Sequence, residues 1–239
     1  MISRVLPNLF TIGNLFLGVI SLILAFEGQV EYAAIMVLIG MMFDGLDGRV
    51  ARMLNSQSEF GKELDSLSDV ISFGVAPAFI MYVAILHDYG PAGWFVTALF
   101  PISGALRLAR FNVKPGIPGY FVGLPITAAG GVLATIALYY EIFHAFFLLA
   151  TMIFLSYLMV SSIKYPNFKK VGLPKSIYWM APIILVTVII LAIYFPSEFP
   201  KIVFLPLGLY ALYGIRHGLS RKKRRRLVEE EFNSELNEN

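Results

Sequence analysis

The chain between positions 32 and 54 reads YAAIMVLIGMMFDGLDGRVARML. Its first half is apolar throughout, whereas its second half carries Asp44, Asp47 and two arginines. A predominantly apolar run of about 20 residues is long enough to cross the hydrocarbon core of a bilayer as a helix. We interpret this stretch as a membrane-spanning helix that carries carboxylates near one end, and this combination decides the fold class.

The composition extends this interpretation to the whole chain. Of its 239 residues, 57% are hydrophobic and only 15% are charged, whereas soluble domains carry about 25% charged residues. Lipid must therefore cover much of the apolar surface. We predict an all-α, polytopic integral membrane helical bundle in residues 1–217 and a cytoplasmic charged tail in residues 218–239. The eight predicted transmembrane helices cover residues 10–27, 32–54, 62–86, 93–112, 123–140, 143–163, 176–195 and 199–216.

Lysines and arginines are concentrated in alternate breaks between these helices. Because cytoplasmic loops of membrane proteins are enriched in both residues, we predict a multi-pass protein of the cell membrane with both termini and the aspartates on the cytoplasmic side. The dense basic run at 221–226 has two interpretations: a patch that binds anionic lipid headgroups, or a topogenic stop before a solvated end. The other basic residues that set the orientation are Arg49, Arg52, Lys62, Arg107, Arg110, Lys114, Lys164, Lys169, Lys170 and Lys175.

Two pairs of aspartates are spaced so that each pair shares a helix face. Asp44 and Asp47 lie three residues apart on one predicted helix, and Asp65 and Asp69 lie four apart on the next. A charge at a bilayer centre costs about 2.5–3.5 kcal/mol on insertion scales, and four like charges also repel one another. A divalent cation would offset these costs, and carboxylate oxygens suit Mg²⁺ or Mn²⁺. The alternative is that the aspartates merely join helices through polar contacts.

These aspartates belong to a longer pattern with fixed gaps, D-x2-D-G-x2-A-R-x8-G-x3-D-x3-D. The pattern resembles the signature of the CDP-alcohol phosphatidyltransferase family, and the chain matches it at every fixed position. The resemblance implies a six-helix catalytic core, a homodimer and release of CMP from a CDP-activated lipid. The matching residues are Asp44, Asp47, Gly48, Ala51, Arg52, Gly61, Asp65 and Asp69.

Softer motifs make the chain most similar to the family members that produce phosphatidylserine. They read PNLFT at 7–11, RLARFN at 107–112, FVGLP at 121–125 and YPNF at 165–168. The resemblance implies transfer of a phosphatidyl group from CDP-diacylglycerol to L-serine. It also implies that Asp44, Asp47, Asp65 and Asp69 hold the metal and that Asp69 is the catalytic base. The residues assigned to CDP-lipid binding are Asn8, Thr11, Gly48, Ala51, Arg52 and Gly61.

Arg107 and Arg110 lie three residues apart at the end of the fourth predicted helix, followed by Asn112. Planar guanidinium groups pair well with carboxylate or phosphate oxygens, so we predict that these three residues bind serine or a phosphate. The alternative is that the arginines are membrane anchors whose charged ends reach the interface.

Two other functions remain open at this point. The first is the same chemistry with another acceptor, namely glycerol phosphate, inositol phosphate or choline. The second is a transporter that uses intramembrane carboxylates, although no internal repeat supports it. The expected partners are CDP-diacylglycerol or CDP-archaeol, L-serine and membrane lipid, with no nucleic acid. The sequence decides neither the lipid backbone nor the preferred metal.

Overall fold

The computed structural model describes residues 2–113 and 120–166, and this part of the chain is a bundle of helices. A π-helical turn, Val70–Val75, joins α3 to α4, and a 3₁₀ turn, Leu86–Tyr89, precedes α5. The helices are α1 (Ile2–Phe26), α2 (Val30–Met53), α3 (Glu59–Asp69), α4 (Ala76–Ala84), α5 (Gly90–Val113), α6 (Ile126–Ala137) and α7 (Ala145–Val160).

Helices α1 and α2 form a tight antiparallel hairpin. Gly28 adopts a φ of 78° in the turn between them, a left-handed conformation that glycine adopts without steric cost. Small residues let the two helices approach closely: a Cβ added to Gly13 would lie 2.9 Å from Phe43, and one added to Gly40 would lie 2.9 Å from Asn14. This contact fixes α1 alongside the end of α2 that carries the aspartates.

A second tight turn brings α3 back against α2. Asn55 has a φ of 47°, and the amides of Asn55 and Ser56 donate to the carbonyls of Arg52 and Ala51 at 3.3 and 3.0 Å. This pattern is a Schellman motif, which satisfies carbonyls at the end of α2. Ser58 then caps α3, because its Oγ accepts from the amide of Gly61 at 3.0 Å.

Helix α3, the π-helical turn and α4 form one continuous rod, Glu59–Ala84. The π-helical turn passes through the centre of the bundle, where Gly18 of α1 lies against Ser72 and Gly130 of α6 lies against Phe73. Such turns are rare and often occur next to functional sites. Here the turn begins directly after Asp69, the last aspartate of the pattern.

Beyond α5, two short antiparallel strands, β1 (Tyr120–Val122) and β2 (Lys164–Pro166), close the described part of the bundle. Phe121 pairs with Tyr165 in this ladder. The strands add a small sheet to a chain that we predicted to be wholly helical, and the rest of the described chain agrees with the all-α class.

Three helices of the described part are long and apolar enough to cross a membrane, which confirms the prediction of a polytopic membrane protein. They cover Leu6–Phe26, Glu59–Ala84 and Leu86–Val113. Helix α2 occupies the second predicted span, but it carries five charged residues and is not among these three. The predicted spans at 176–195 and 199–216, and the tail at 218–239, lie outside the described residues.

Helices α6 and α7 are shorter than predicted, with 12 and 16 residues. At 1.5 Å per residue, α6 covers about 18 Å, less than the hydrocarbon core of about 30 Å. Every residue of α6 except Thr127 is buried, so protein rather than lipid surrounds it. The fifth predicted span, 123–140, therefore contains a short central helix rather than a full-length transmembrane helix.

Candidate active site

The carboxylates of Asp44, Asp47 and Asp65 converge between α2 and α3. One oxygen from each lies within 4.8 Å of the others. The helical spacing puts Asp44 and Asp47 on one face of α2, and the Schellman turn folds α3 back so that Asp65 meets them. Three hard oxygen donors this close together form a cluster that could hold a divalent metal ion.

Asp47 is oriented from both sides. Thr11 of α1 donates a hydrogen bond from its Oγ1 to Oδ2 of Asp47 at 2.9 Å, and the amide of Gly48 donates to Oδ1. The Asp47 side chain is buried, so these donors replace water and leave it little freedom to rotate. Contacts of this kind around a ligand orient it and tune its affinity for metal.

Asp69 lies beside this cluster and deeper in the protein. It is buried, with 7% of its surface exposed. Its carboxyl is within hydrogen-bonding reach of Asp44 and interacts electrostatically with Asp65 and Asp47. Its Oδ1 has no hydrogen-bond donor within the described residues. Asp69 is thus close to the three-carboxylate group but does not belong to the set of oxygens within 4.8 Å.

Two serines, one in α3 and one in the π-helical turn, hold helix α1 against the rod that carries Asp65 and Asp69. Ser68 Oγ donates to the carbonyl of Thr11 at 3.2 Å, and Ser72 Oγ donates to the carbonyl of Asn14 at 3.0 Å. These two bonds set the register between α1 and the rod that carries Asp65 and Asp69. In this arrangement, Thr11 of α1 also contacts Asp47 of α2.

An open cavity of about 630 Å³ adjoins the carboxylates, and Asp47 and Asp65 form part of its wall. All six residues that the sequence analysis assigned to CDP-lipid binding line this cavity: Asn8, Thr11, Gly48, Ala51, Arg52 and Gly61. Residues of the α2–α3 turn and its surroundings complete the wall, and sequence analysis had not assigned them to the site: Pro7, Ser56, Gln57, Ser58, Glu59, Lys62 and Phe111.

A spacing signal could have found some of these residues. Lys62 precedes Asp65 by three positions and Glu59 precedes it by six, so all three lie on one side of α3. Phe111 gave no such signal, because it lies on a distant helix, α5, whose end is joined to α3 through the hydrogen bond from Asn112 to Ser66.

The two glycines of the pattern occupy close-packed positions in the cavity wall. A Cβ on Gly61 would lie 3.1 Å from both Asn8 Oδ1 and Ser58 Oγ. A Cβ on Gly48 would lie 3.5 Å from a guanidinium nitrogen of Arg52, which shows that Arg52 folds back over the helix surface. Glycine at 61 keeps the first turn of α3 close to α1, whereas a Cβ at 48 would make only an ordinary van der Waals contact with Arg52.

The predicted serine-binding or phosphate-binding residues lie beside the cavity and do not line it. Arg107 is buried, and its guanidinium carbon lies 5.9 and 6.0 Å from the ring centroids of Phe111 and Phe121. Arg110 donates to the carbonyl of Val160 at 2.9 Å, at the end of α7. Of the residues around Arg107 and Arg110, Phe111 borders the cavity, so Arg107 lies close to the cavity wall.

Asn112 makes its observed contact with protein. Its Nδ2 donates to Ser66 Oγ at 3.0 Å, and Ser66 Oγ donates to the carbonyl of Lys62 at 3.1 Å. This chain ties the end of α5 to the turn of α3 that carries Asp65. The structure thus gives Asn112 a contact that positions α3.

Comparison with known proteins gives a consistent result. Residues 4–161 match the family model described as CDP-alcohol phosphatidyltransferase. A CDP-diacylglycerol–serine O-phosphatidyltransferase of Helicobacter pylori is 41% identical over 218 residues, which cover 87% of this chain and 89% of the relative. An archaetidylserine synthase of Methanothermobacter thermautotrophicus is also 41% identical, over 70% of this chain and 72% of the relative. The Bacillus subtilis CDP-diacylglycerol–serine O-phosphatidyltransferase is 36% identical over 69% of this chain and 92% of the relative.

Proposed function

Since this chain belongs to the CDP-alcohol phosphatidyltransferase family, we propose that it transfers a phosphatidyl group from CDP-diacylglycerol to L-serine. The products are phosphatidylserine and CMP. The observation that carries the proposal is the group of three carboxylates, two of which line a cavity whose wall contains every residue assigned to CDP-lipid binding. Serine, rather than another alcohol, is supported by relatives whose names specify serine products or acceptors.

Asp44, Asp47 and Asp65 would hold Mg²⁺ or Mn²⁺, with Asp69 completing the site. The donor set fits such an ion, because carboxylate oxygens are the ligands that these hard cations prefer. When bound, the ion neutralises charge on the diphosphate and on the departing CMP. Thr11 and the Gly48 amide then keep Asp47 in one orientation, and the metal ligands remain preorganised.

Asp69 would act as general base toward the serine hydroxyl. The hydroxyl oxygen forms a bond to the phosphorus that carries the diacylglycerol, the bond from that phosphorus to the CMP oxygen breaks, and Asp69 accepts the hydroxyl proton. Its Oδ1 is buried and has no donor among the described residues, so its capacity to accept a hydrogen bond is unused there. A general base of this kind usually contributes about 10²–10⁴ in rate.

Arg107 would bind the carboxylate of serine at the side of the cavity that Phe111 borders. The guanidinium carbon lies 5.9 and 6.0 Å from the ring centroids of Phe111 and Phe121, and the planar fork of guanidinium donors matches the two oxygens of a carboxylate. Arg110 would support this position by joining α5 to α7. Asn112 would act through Ser66, by keeping Asp65 at its place in the cluster.

The lipid backbone has two candidates. The Helicobacter pylori relative is named for diacylglycerol, and the equally identical Methanothermobacter thermautotrophicus relative is named for archaetidylserine. We favour CDP-diacylglycerol over CDP-archaeol because the Helicobacter pylori relative matches a larger share of this chain.

We also propose a homodimer with its active site facing the cytoplasm. The family resemblance supports the dimer, and the distribution of basic residues supports the orientation. Light scattering of the purified protein would test the dimer. Because the chain contains no cysteine, a single cysteine introduced as Gln57→Cys would report from which side of the membrane a charged thiol reagent reaches the cavity.

An assay with purified protein, CDP-diacylglycerol and radiolabelled L-serine tests the proposed function directly. We expect labelled phosphatidylserine and stoichiometric CMP, loss of both on chelation, and recovery with Mn²⁺ or Mg²⁺. Labelled product formed with glycerol phosphate, inositol phosphate or choline, but not with serine, would overturn the choice of acceptor. Full activity in persistent excess chelator would overturn the metal assignment.

A further inference from the structure

Lys62 lies in the cavity wall but is not one of the fixed positions of the family pattern. It occupies the first turns of α3, one position after Gly61 and three before Asp65. Residues three apart share a helix face, so Lys62 and Asp65 contribute to the wall of the cavity from the same side. Lys62 is exposed and lies nearer the start of the helix than Asp65.

The backbone of Lys62 is fixed. Its carbonyl accepts a hydrogen bond from Ser66 Oγ, and that oxygen accepts another from Asn112 Nδ2. The turn of α3 that carries Lys62 is thus attached to α5, while the Ser58 cap holds its first turn. The backbone of Lys62 is thus held in place, and the ammonium group moves only by rotation about the side-chain bonds.

The charge of Lys62 is available to a ligand. No ion pair joins it to another residue of the described chain, even though Glu59 and Asp65 line the same cavity. Arg52, at the end of α2, is the other cation in the wall, and its guanidinium lies over Gly48. Two cations from the two sides of the α2–α3 turn therefore face one cavity.

A diphosphate bound in this cavity would be stabilised by positive charge near Lys62. A diphosphate placed beside Asp47 and Asp65 is repelled by their charges, and Coulomb repulsion is strong where water is partly excluded. Metal held by the carboxylates would neutralise the side of the diphosphate nearest the aspartates. The diphosphate charge that remains is stabilised by further cations, and Lys62 is a compact, flexible ammonium suited to phosphate.

We propose that Lys62 binds the diphosphate of the CDP-activated lipid and thereby determines affinity for that substrate rather than for serine. The inference rests on the proposed function, since it assigns one contact within that site. Lys62 would be a substrate-binding residue in addition to those of the family pattern.

The test compares Lys62→Gln and Lys62→Met with Lys62→Arg and with the control Arg49→Gln. Arg49 is an exposed cation on α2 that does not line the cavity. Because the contact is charged but exposed, we expect both neutral variants to raise KM for CDP-diacylglycerol by about three- to tenfold. The KM for serine and kcat should stay within about twofold, Lys62→Arg should keep most of the affinity, and Arg49→Gln should match the parent protein.

An unchanged KM for CDP-diacylglycerol in both neutral variants would overturn the inference, as would a rise confined to the KM for serine. Equilibrium binding of CDP-diacylglycerol in the absence of serine provides a readout that does not depend on the acceptor. If the parent protein binds this lipid but never uses serine, the proposed acceptor fails, while weaker lipid binding by Lys62→Gln still supports the role of Lys62.

Discussion

Thr11 donates a 2.9 Å hydrogen bond to Asp47, and this bond joins α1 to the metal-ligand candidates on α2. The two residues are 36 positions apart, and both are buried. Thr11 Oγ1 also lies 3.3 Å from the carbonyl of Pro7, one turn earlier in the same helix. Helix α1 therefore contributes to the site by orienting a carboxylate as well as by lining the cavity.

Replacing Thr11 by Val tests this role, since valine keeps the shape and loses the hydroxyl. Loss of such a supporting contact typically lowers metal affinity or activity by about 10- to 100-fold. We expect Thr11→Val to raise the Mn²⁺ concentration for half-maximal activity within that range, and Thr11→Ser to stay close to the parent protein. A Mn²⁺ titration identical for both variants would show that Asp47 needs no help from α1.

Gly61 and Gly45 form a matched pair for testing close packing in the cavity wall. A Cβ at 61 would lie 3.1 Å from Asn8 Oδ1 and Ser58 Oγ, whereas a Cβ at 45 meets nothing within 4 Å. We expect Gly61→Ala to displace α3 from α1 and to raise KM for CDP-diacylglycerol. Gly45→Ala should leave KM unchanged and stabilise α2 by up to about 1 kcal/mol, because alanine favours helix more than glycine. Thermal unfolding and kinetics of both variants check this, and equal KM values would contradict it.

Much of this site could be predicted from the sequence because it depends on helical periodicity. The spacings of Asp44, Asp47, Asp65 and Asp69 determine which helix faces carry them. The connection between α2 and α3, which contains Asn55 and Ser58, is short, so the two helices lie next to each other. Membrane-spanning helices were predictable for a similar reason, since a long apolar run satisfies its own backbone groups in lipid.

Other features depend on packing between distant segments and left no periodic signal. An apolar segment such as 123–140 has the same composition whether lipid or protein covers it, so the short, buried α6 could not be distinguished from a full span. Strands β1 and β2 contain three residues each, too few for an alternating pattern. The position of Phe111 at the cavity was equally hidden, because it depends on where the end of α5 lies relative to α3.

Asp69→Asn tests the general base while preserving side-chain size. Asparagine cannot accept the serine proton, so we expect kcat to fall by about 10²–10⁴. Binding of CDP-diacylglycerol should stay within about tenfold, because Asp44, Asp47 and Asp65 still form their group. Asp88→Asn is a suitable control, since Asp88 is exposed and paired with His87 at 3.2 Å in the turn before α5. A kcat near that of the parent protein would remove Asp69 from the chemical step.

Substitution of Arg107 tests serine recognition, because this buried guanidinium lies beside two aromatic rings at the edge of the cavity. The guanidinium carbon lies 5.9 and 6.0 Å from the ring centroids of Phe111 and Phe121, and Phe111 borders the cavity. We expect Arg107→Lys to raise KM for serine by about tenfold or more, since an ammonium cannot pair with both carboxylate oxygens and stacks less well on the rings. The KM for CDP-diacylglycerol should change much less, because the lost contact belongs to one substrate.

Arg110→Lys is the comparison, because Arg110 contacts the carbonyl of Val160 and supports the packing of α5 against α7. Its effect should appear chiefly as a lower temperature of thermal unfolding, with a smaller change in KM for serine. If Arg107→Lys instead raises KM for the CDP-lipid, Arg107 binds a phosphate of that lipid. If neither KM nor kcat moves, the charge of Arg107 takes no part in binding either substrate. Serine must then be selected by groups that line the cavity itself, and Asn8 and Gln57 would be the first polar side chains to test there.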